Sequence, residues 1–146
     1  MIVNGNVIPS SFESFAIHYL FRSGFCNLYL KNDKDAYGNH LEVELAQIYV
    51  TEAELEKETN SLSEYFPENS DYGPAAGLHN GVSAILDIVD FGKIVCFGMA
   101  GDGSQFCFDF RMDENNPSVI WWADNYWRKL AASFDAFIDI FNRDVV

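Results

Sequence analysis

VCFGMAGDGSQFCFDFR, residues 95–111, is the stretch whose reading decides the fold. Two runs of strand character, 93–97 and 105–110, flank Gly98, Gly101, Asp102 and Gly103. A phosphate loop needs glycine-spaced amides, a lysine for the phosphates and a helix that follows at once. Here Gly101-Asp102-Gly103-Ser104 runs instead into Phe106, Phe108 and Phe110, which alternate with Cys107 and Asp109. Alternation of period two is the strand signature. Asp102 would repel a phosphate, and the spacing Gly98-x-x-Gly101-x-Gly103 fits neither the P-loop nor the dinucleotide fingerprint. Asp-Gly is hairpin chemistry, because glycine tolerates positive φ. The stretch therefore predicts an antiparallel hairpin with its turn at 98–104 and with Phe106, Phe108 and Phe110 on one buried face.

Downstream, 118–122 reads as a further strand after the turn Asp113-Glu114-Asn115-Asn116-Pro117, followed by a short extended piece near 127–131. Ser133 caps a last helix carrying Phe134, Phe137, Ile138 and Phe141. Upstream, 84–89 reads as a strand and 67–82, with its prolines, glycines and asparagines, as a long loop. Thr51-Glu52-Ala53-Glu54 is a capping box that opens a helix running to about Phe66. In 40–50, Leu41, Val43 and Leu45 alternate with Glu42 and Glu44, a half-buried strand. Pro9-Ser10-Ser11 with Glu13 starts a first helix, Ser10 serving as N-cap. Its Phe12, Phe15, Ala16, Tyr19 and Leu20 recur at helical spacing until Gly24 closes it. Helix, strand, helix, several strands, helix is the order of an α+β fold, a mostly antiparallel sheet with helices packed against it. The length suits a single domain over residues 1–146.

The chain is 49% hydrophobic and 16% aromatic, which supplies a compact core and argues against disorder throughout. MIVNGNVIPSS at the start has no basic segment followed by an apolar run, so no secretory leader is expected. Asp87, Asp90 and Lys93 break the longest apolar stretch, 81–101, too often for a membrane span. Cys26, Cys96 and Cys107 cannot all pair and form no Cys-x-x-Cys; free buried thiols in a reducing cytoplasm are the simplest account. The net charge of −13 is unevenly spread: 1–41 balances three acids with three bases, whereas 42–71 sets nine acids against Lys57, a net −8. Such a surface repels nucleic acid and anionic lipid and favours a basic protein partner.

Chemistry of other kinds finds little support. His18, His40 and His79 show no spacing that puts two ligands on one helix face, and Cys96 and Cys107 read as small core residues facing each other across the hairpin. No metal, no cofactor and no catalytic residue is assigned, because acids without a pocket do not make an acid/base couple.

FGKIVCFGMAGDGSQFCFDFR (91–111) and NPSVIWWADNYWRKLAASFDAFIDIF (116–141) resemble the SUKH superfamily, whose founding members include a fungal cell-wall-assembly regulator. In that family a strand ends in a glycine/aspartate turn, and the next strand ends in aspartate and an apolar residue. A proline-started strand then leads to a Ser-Phe-x-x-Phe helix. These fall here on Gly101-Asp102-Gly103, Asp109-Phe110, Pro117-Ser118-Val119 and Ser133-Phe134-Asp135-Ala136-Phe137. IPSSFESFAIHYL (8–20) is similar to the family's opening helix. Ser104 departs from the glycine or asparagine of many relatives, and RSGFCNLYL (22–30) stands where an Asn-Gly-Gly segment is usual. The resemblance implies a non-enzymatic binding domain. Many bacterial members look like immunity proteins against secreted polymorphic toxins such as nucleases and deaminases; the alternative is a regulatory or scaffolding module of the same fold.

Two surfaces are candidates for the partner. One is the acidic segment, Glu42, Glu44, Glu52, Glu54, Glu56, Glu58, Glu64, Glu68 and Asp71, read either as a solvated face or as the face that meets a basic toxin. On the second reading, reversing Glu52, Glu54 and Glu56 to lysine weakens binding without moving the melting temperature. The other surface is the pair Trp121 and Trp122, which point to opposite faces of a strand. Either one is buried in the main core and the other beneath a helix or loop, or one stays partly exposed as a binding anchor.

Overall fold

The computed structural model describes residues 1–65, 85, 88, 90–123 and 126–142. The central hairpin is the middle of a six-stranded, wholly antiparallel sheet. Its strands are β3 (Phe25–Tyr29), β4 (Glu44–Ile48), β5 (Ile94–Ala100), β6 (Gln105–Asp109), β7 (Ser118–Ala123) and β8 (Tyr126–Ala131), in that spatial order. A separate small hairpin, β1 (Ile2–Val3) and β2 (Asn6–Val7), precedes it. The helices are α1 (Ser10–Ala16), α2 (Glu52–Asn60), α3 (Leu62–Tyr65) and α4 (Phe134–Ile138). This is the α+β architecture expected from the order of elements.

Register explains which side chains meet. Val95 pairs with Phe108 and Gly98 with Phe106, while Cys96 sits opposite Cys107 on the other face. Phe106, Phe108 and Phe110 are all buried, together with Phe97 and Val119. Phe12 of α1 enters this layer, its ring meeting Phe97, Phe108 and Phe134 edge-on at 5.3–5.6 Å. Phe97 and Phe108 stack at 4.3 Å, and Phe137 of α4 lies 5.2 Å from both Phe106 and Phe141. Such ring pairs contribute about 0.5–1.5 kcal/mol each beyond the area they bury. The phenylalanines of α1, α4 and the hairpin are thus one core.

Several boundaries differ from the sequence reading. β5 starts at Ile94, after a 3₁₀ turn at Phe91–Lys93, and runs on to Ala100, so Gly98 lies inside the strand and not in the turn. Gly98 is glycine because β4 passes close: a Cβ there would sit 2.6 Å from the Gln47 carbonyl oxygen. The turn itself is Gly101 to Ser104, where Gly103 has φ +88° and Asp102 accepts from the Ser104 amide and hydroxyl. Only Glu44–Ile48 of 40–50 pairs as strand. Ser10 is the first residue of α1 and not its cap; Pro9 holds the cap position with no side-chain bond. After Ala16 the helix tightens to a 3₁₀ turn over Ile17–Arg22. Three residues per turn instead of 3.6 rotate Leu20 out of the apolar stripe, and it is exposed. The 127–131 piece is a full strand, and the expected 84–89 strand and 67–82 loop lie outside the described residues apart from Ile85 and Ile88.

Three strands, β1, β2 and β3, add to those the sequence predicts. In the β1–β2 hairpin, Asn4 and Gly5 both have positive φ, the geometry of a two-residue Asn-Gly turn. β3 is short and bulged, with Asn27 at φ 48° between its pairings Phe25↔Gln47 and Leu28↔Leu45.

Two devices manage the sheet edges. Beyond Tyr49, whose amide donates to the Phe97 carbonyl at 2.9 Å, the chain leaves β5, and α2 takes over that edge: Thr59 Oγ1 accepts the Cys96 amide at 2.9 Å. The segment between β3 and β4 ties one edge of the sheet to the other. The Ala36 amide donates to the Leu130 carbonyl in β8, and the Lys31 amide to the Ile140 carbonyl after α4. Its anchor is Asp35, wholly buried, which accepts from Arg128 Nη2 at 2.8 Å and from the Tyr37 and Asn39 amides at 2.8 and 3.1 Å. The same Arg128 Nη2 donates to the His40 carbonyl at 2.7 Å.

Candidate functional site

The acidic candidates divide between a helix and a strand. Thr51 caps α2 as the sequence suggested, its Oγ1 accepting the Glu54 amide at 3.2 Å and donating to Glu54 Oε1 at 3.1 Å. Leu55 and Thr59 face inward, which turns Glu52 and Glu56 to solvent and leaves Glu54 and Glu58 half-buried. Glu64 on α3 is exposed. Lys57 is the one base along α2 and α3. Glu52 Oε2 lies 3.4 Å from the Ile2 amide, so the β1–β2 hairpin borders the acidic helix. Glu52 and Glu54 also stand at the helix N-terminus, where the dipole favours negative charge. Reversing them would remove the Glu54 carboxylate that accepts from the Thr51 hydroxyl and oppose the dipole, so the expected indifference of the melting temperature to that triple reversal does not follow from this geometry.

Glu42 and Glu44 belong to a different surface. Cross-strand partners project from the same face. Tyr29 pairs with Glu44, while Phe25, Gln47, Met99 and Gln105 form a row across β3, β4, β5 and β6. Leu45 and Ile48 take the core side. Phe25 and Tyr29 are 51% and 62% exposed, and Glu44, Gln47, Met99 and Gln105 are half-buried. Farther along the same face, Cys96, Cys107 and Ile120 are fully buried, so the sheet is covered at one end and open at the β3 end. Glu44 leans over Gly101, occupying the space a Cβ there would need. At the end of this row the Tyr49 hydroxyl donates to Gln105 Oε1 at 2.9 Å. Burial raises the Tyr49 phenol well above its ordinary value, and the charge of nearby Glu58 adds to the rise. Glu68 and Asp71 lie outside the described residues.

Trp121 and Trp122 are both half-buried. Trp121 stacks on Phe106 at 6.3 Å and donates from Nε1 to Ser104 Oγ at 2.8 Å, which ties β7 to the 101–104 turn. Trp122 meets Trp127 edge-on at 5.6 Å across β7 and β8. The aromatic pairs therefore brace the sheet. Ser104 supplies the hydroxyl that Trp121 uses.

All three thiols are free and buried. Desolvation pushes Cys26 up to about 12 and Cys107 well above its ordinary value; Cys96 Sγ and Cys107 Sγ are 3.4 Å apart as free thiols. Among the described residues no group of three or more His, Cys, Asp or Glu is placed to hold a metal ion, and no helix is long and apolar enough to cross a membrane. An open groove of about 450 Å³ lies beside Lys31, Lys34 and Ile140, and its one buried acid, Asp35, is already engaged by Arg128 and two amides.

The open end of the sheet is not evident from the sequence, because Phe25 and Tyr29 belong to β3, which its pattern does not mark as a strand. The one trace it carries is FCNLY, where buried Cys26 and Leu28 alternate with exposed neighbours. No curated protein and no solved structure matches the chain. The SMI1 / KNR4 family (SUKH-1) matches residues 18–140, from the 3₁₀ turn after α1 to the residues after α4. With most of its length matched and the expected α+β sheet in place, the chain belongs to the SMI1 / KNR4 family (SUKH-1).

Proposed function

We propose that this chain is a non-enzymatic immunity protein that binds and neutralises a basic toxin domain of the nuclease or deaminase class. SUKH domains are commonly immunity proteins and generally non-enzymatic. The observation that carries the reading is the charge of α2 and α3: Glu52, Glu54, Glu56, Glu58 and Glu64 against Lys57 alone, in a chain of net −13. A nuclease domain presents basic residues to phosphate, and an acidic face can occupy that surface in place of substrate. Charge complementarity of this kind acts mainly on encounter, lifting association towards about 10⁸–10⁹ M⁻¹s⁻¹ at low salt. Neutralisation by occlusion needs no cofactor and no catalytic residue, and the same charge disfavours nucleic acid and anionic membrane as partners.

The test is co-expression with the toxin domain encoded immediately beside the gene. Growth should be restored, and the purified pair should associate at least tenfold more slowly at 500 mM than at 50 mM salt, with a much smaller change in dissociation rate. No rescue of growth, or a rescue accompanied by no complex, removes the proposal.

A further inference from the structure

We infer that the open end of the sheet, Phe25 and Tyr29 on β3 with Glu44 and Gln47 on β4 and Met99 on β5, is a docking surface for arginine side chains of a basic protein partner. This rests on the reading of the chain as a binder of a basic domain and says where on the sheet that domain is gripped. Three observations converge. The face is open where it should be closed: Cys96, Cys107 and Ile120 on the same side of the sheet are fully buried, yet Phe25 and Tyr29 keep 51% and 62% of their surface in water. Exposed aromatic rings on a sheet face mark a surface that meets something.

The second observation is chemical. Glu44 projects beside Tyr29, its cross-strand partner, and leans over the bare backbone of Gly101. A carboxylate next to exposed aromatic faces suits a guanidinium, which stacks on a ring while its planar donors take the carboxylate in a bidentate pair. A lysine ammonium offers a point charge and matches this arrangement less well. Third, charge favours a cation over a second copy of the chain. Glu42 and Asp102 are exposed at the neighbouring β4 entry and hairpin turn, beside half-buried Glu44. Two such acidic faces repel.

The experiment is an NMR titration of the intact protein with hexa-arginine amide and, separately, hexa-lysine amide at matched ionic strength. Hexa-arginine should shift the amide signals of Phe25, Tyr29, Glu44, Gln47 and Met99 saturably, with at least threefold tighter binding than hexa-lysine. Tyr29→Ala should weaken arginine binding about 2- to 5-fold, as expected for one exposed cation–π contact. Glu44→Gln, which keeps shape and removes charge, should weaken it comparably while the melting temperature stays within about 1 °C. Shifts centred on α2, equal binding of both peptides, absence of saturation up to millimolar peptide, or indifference to both variants overturns this inference. Each of those outcomes leaves the toxin-neutralisation reading standing, since that reading falls only with the co-expression test.

Discussion

Asp35→Ala is the perturbation that most directly tests the account of how the sheet is held closed. The carboxylate is fully buried, pairs with a 6% exposed Arg128 side chain at 2.8 Å, and takes two backbone amides at 2.8 and 3.1 Å. Removing it strands a buried guanidinium whose remaining bond is to the His40 carbonyl, and whose Nε has no hydrogen-bond partner among the described residues. Breaking a buried pair from one side costs about 3–5 kcal/mol. At roughly 2–4 °C per kcal/mol for a chain of this size, the melting temperature should fall by about 6–20 °C. Urea unfolding followed by circular dichroism gives the free energy. Asp35→Asn keeps the amide acceptor and isolates the charge. The double variant Asp35→Ala with Arg128→Met should be at least about 1 kcal/mol more stable than Asp35→Ala alone, because most of the loss is the uncompensated charge and not the missing contact. A single-variant loss below about 1 kcal/mol, or a double variant no better than the single, would refute the claim that this pair clamps the two edges together.

Among the described glycines, Gly24→Ala should be the most damaging, since its Cβ would meet the Ile48 carbonyl oxygen and its φ is +84°. Gly98→Ala follows, against the Gln47 carbonyl at 2.6 Å, and Gly103→Ala, with open space but φ +88°, should cost only about 1 kcal/mol; a different order in urea midpoints counts against the β4 register. Stability should fall in alkali. The unfolded Cys26 thiol ionises near 9.0 while the folded one is held to about 12, so stability is intact below pH 9 and lost as pH rises through that window. The Cys26 share is about 1.4 kcal/mol by pH 10, with Cys107 and Tyr49 acting in the same direction; a flat profile from pH 8 to 10, or one unchanged by Cys26→Ala, contradicts the burial of that thiol. Finally, Glu56→Gln with Glu64→Gln should leave the melting temperature unchanged or slightly raised while slowing association with a basic partner; unaltered association would move the acidic interface off α2.

The hairpin, the α2 cap at Thr51 and the α4 cap at Ser133 were legible because each is written in neighbouring residues: alternation, a capping box, a Ser before Phe134. The β1–β2 hairpin has its own local signal in Asn4-Gly5, but its flanking strands are only two residues long, too short to show alternation. β3 resisted reading for a physical reason. Its bulge at Asn27 breaks the period-two pattern, and its partner β4 carries an extra residue of its own between the pairings of Leu45 and Gln47. The Asp35–Arg128 clamp could not be read at all, because 93 positions separate the pair and nothing local at either marks the other. The open sheet face depends on β3 and was lost with it. Charge, being additive along the chain, pointed to the acidic segment without any knowledge of the fold, but it could not separate Glu42 and Glu44 on the sheet from Glu52 to Glu64 on the helices.

That separation bears on why so much negative charge is retained. Glu54 has work in the fold, since it completes the Thr51 cap, and Glu52 sits where the helix dipole favours it. Glu56 is past the first turn, where the dipole no longer helps, and stands four residues after Glu52. Glu58 stands four after Glu54 and beside the buried phenol of Tyr49. Like charges at that spacing destabilise a helix by about 0.2–0.5 kcal/mol per pair. Lys57, three residues after Glu54, relieves only part of it. The helix therefore carries a standing repulsion that neither its cap nor its packing through Leu55 and Thr59 requires. Glutamine at 56 and 58 would keep helix propensity and solubility while removing the strain. A solvated face needs polarity, not one sign of charge repeated every second residue, and the repeat fits the proposed role of drawing in a basic partner.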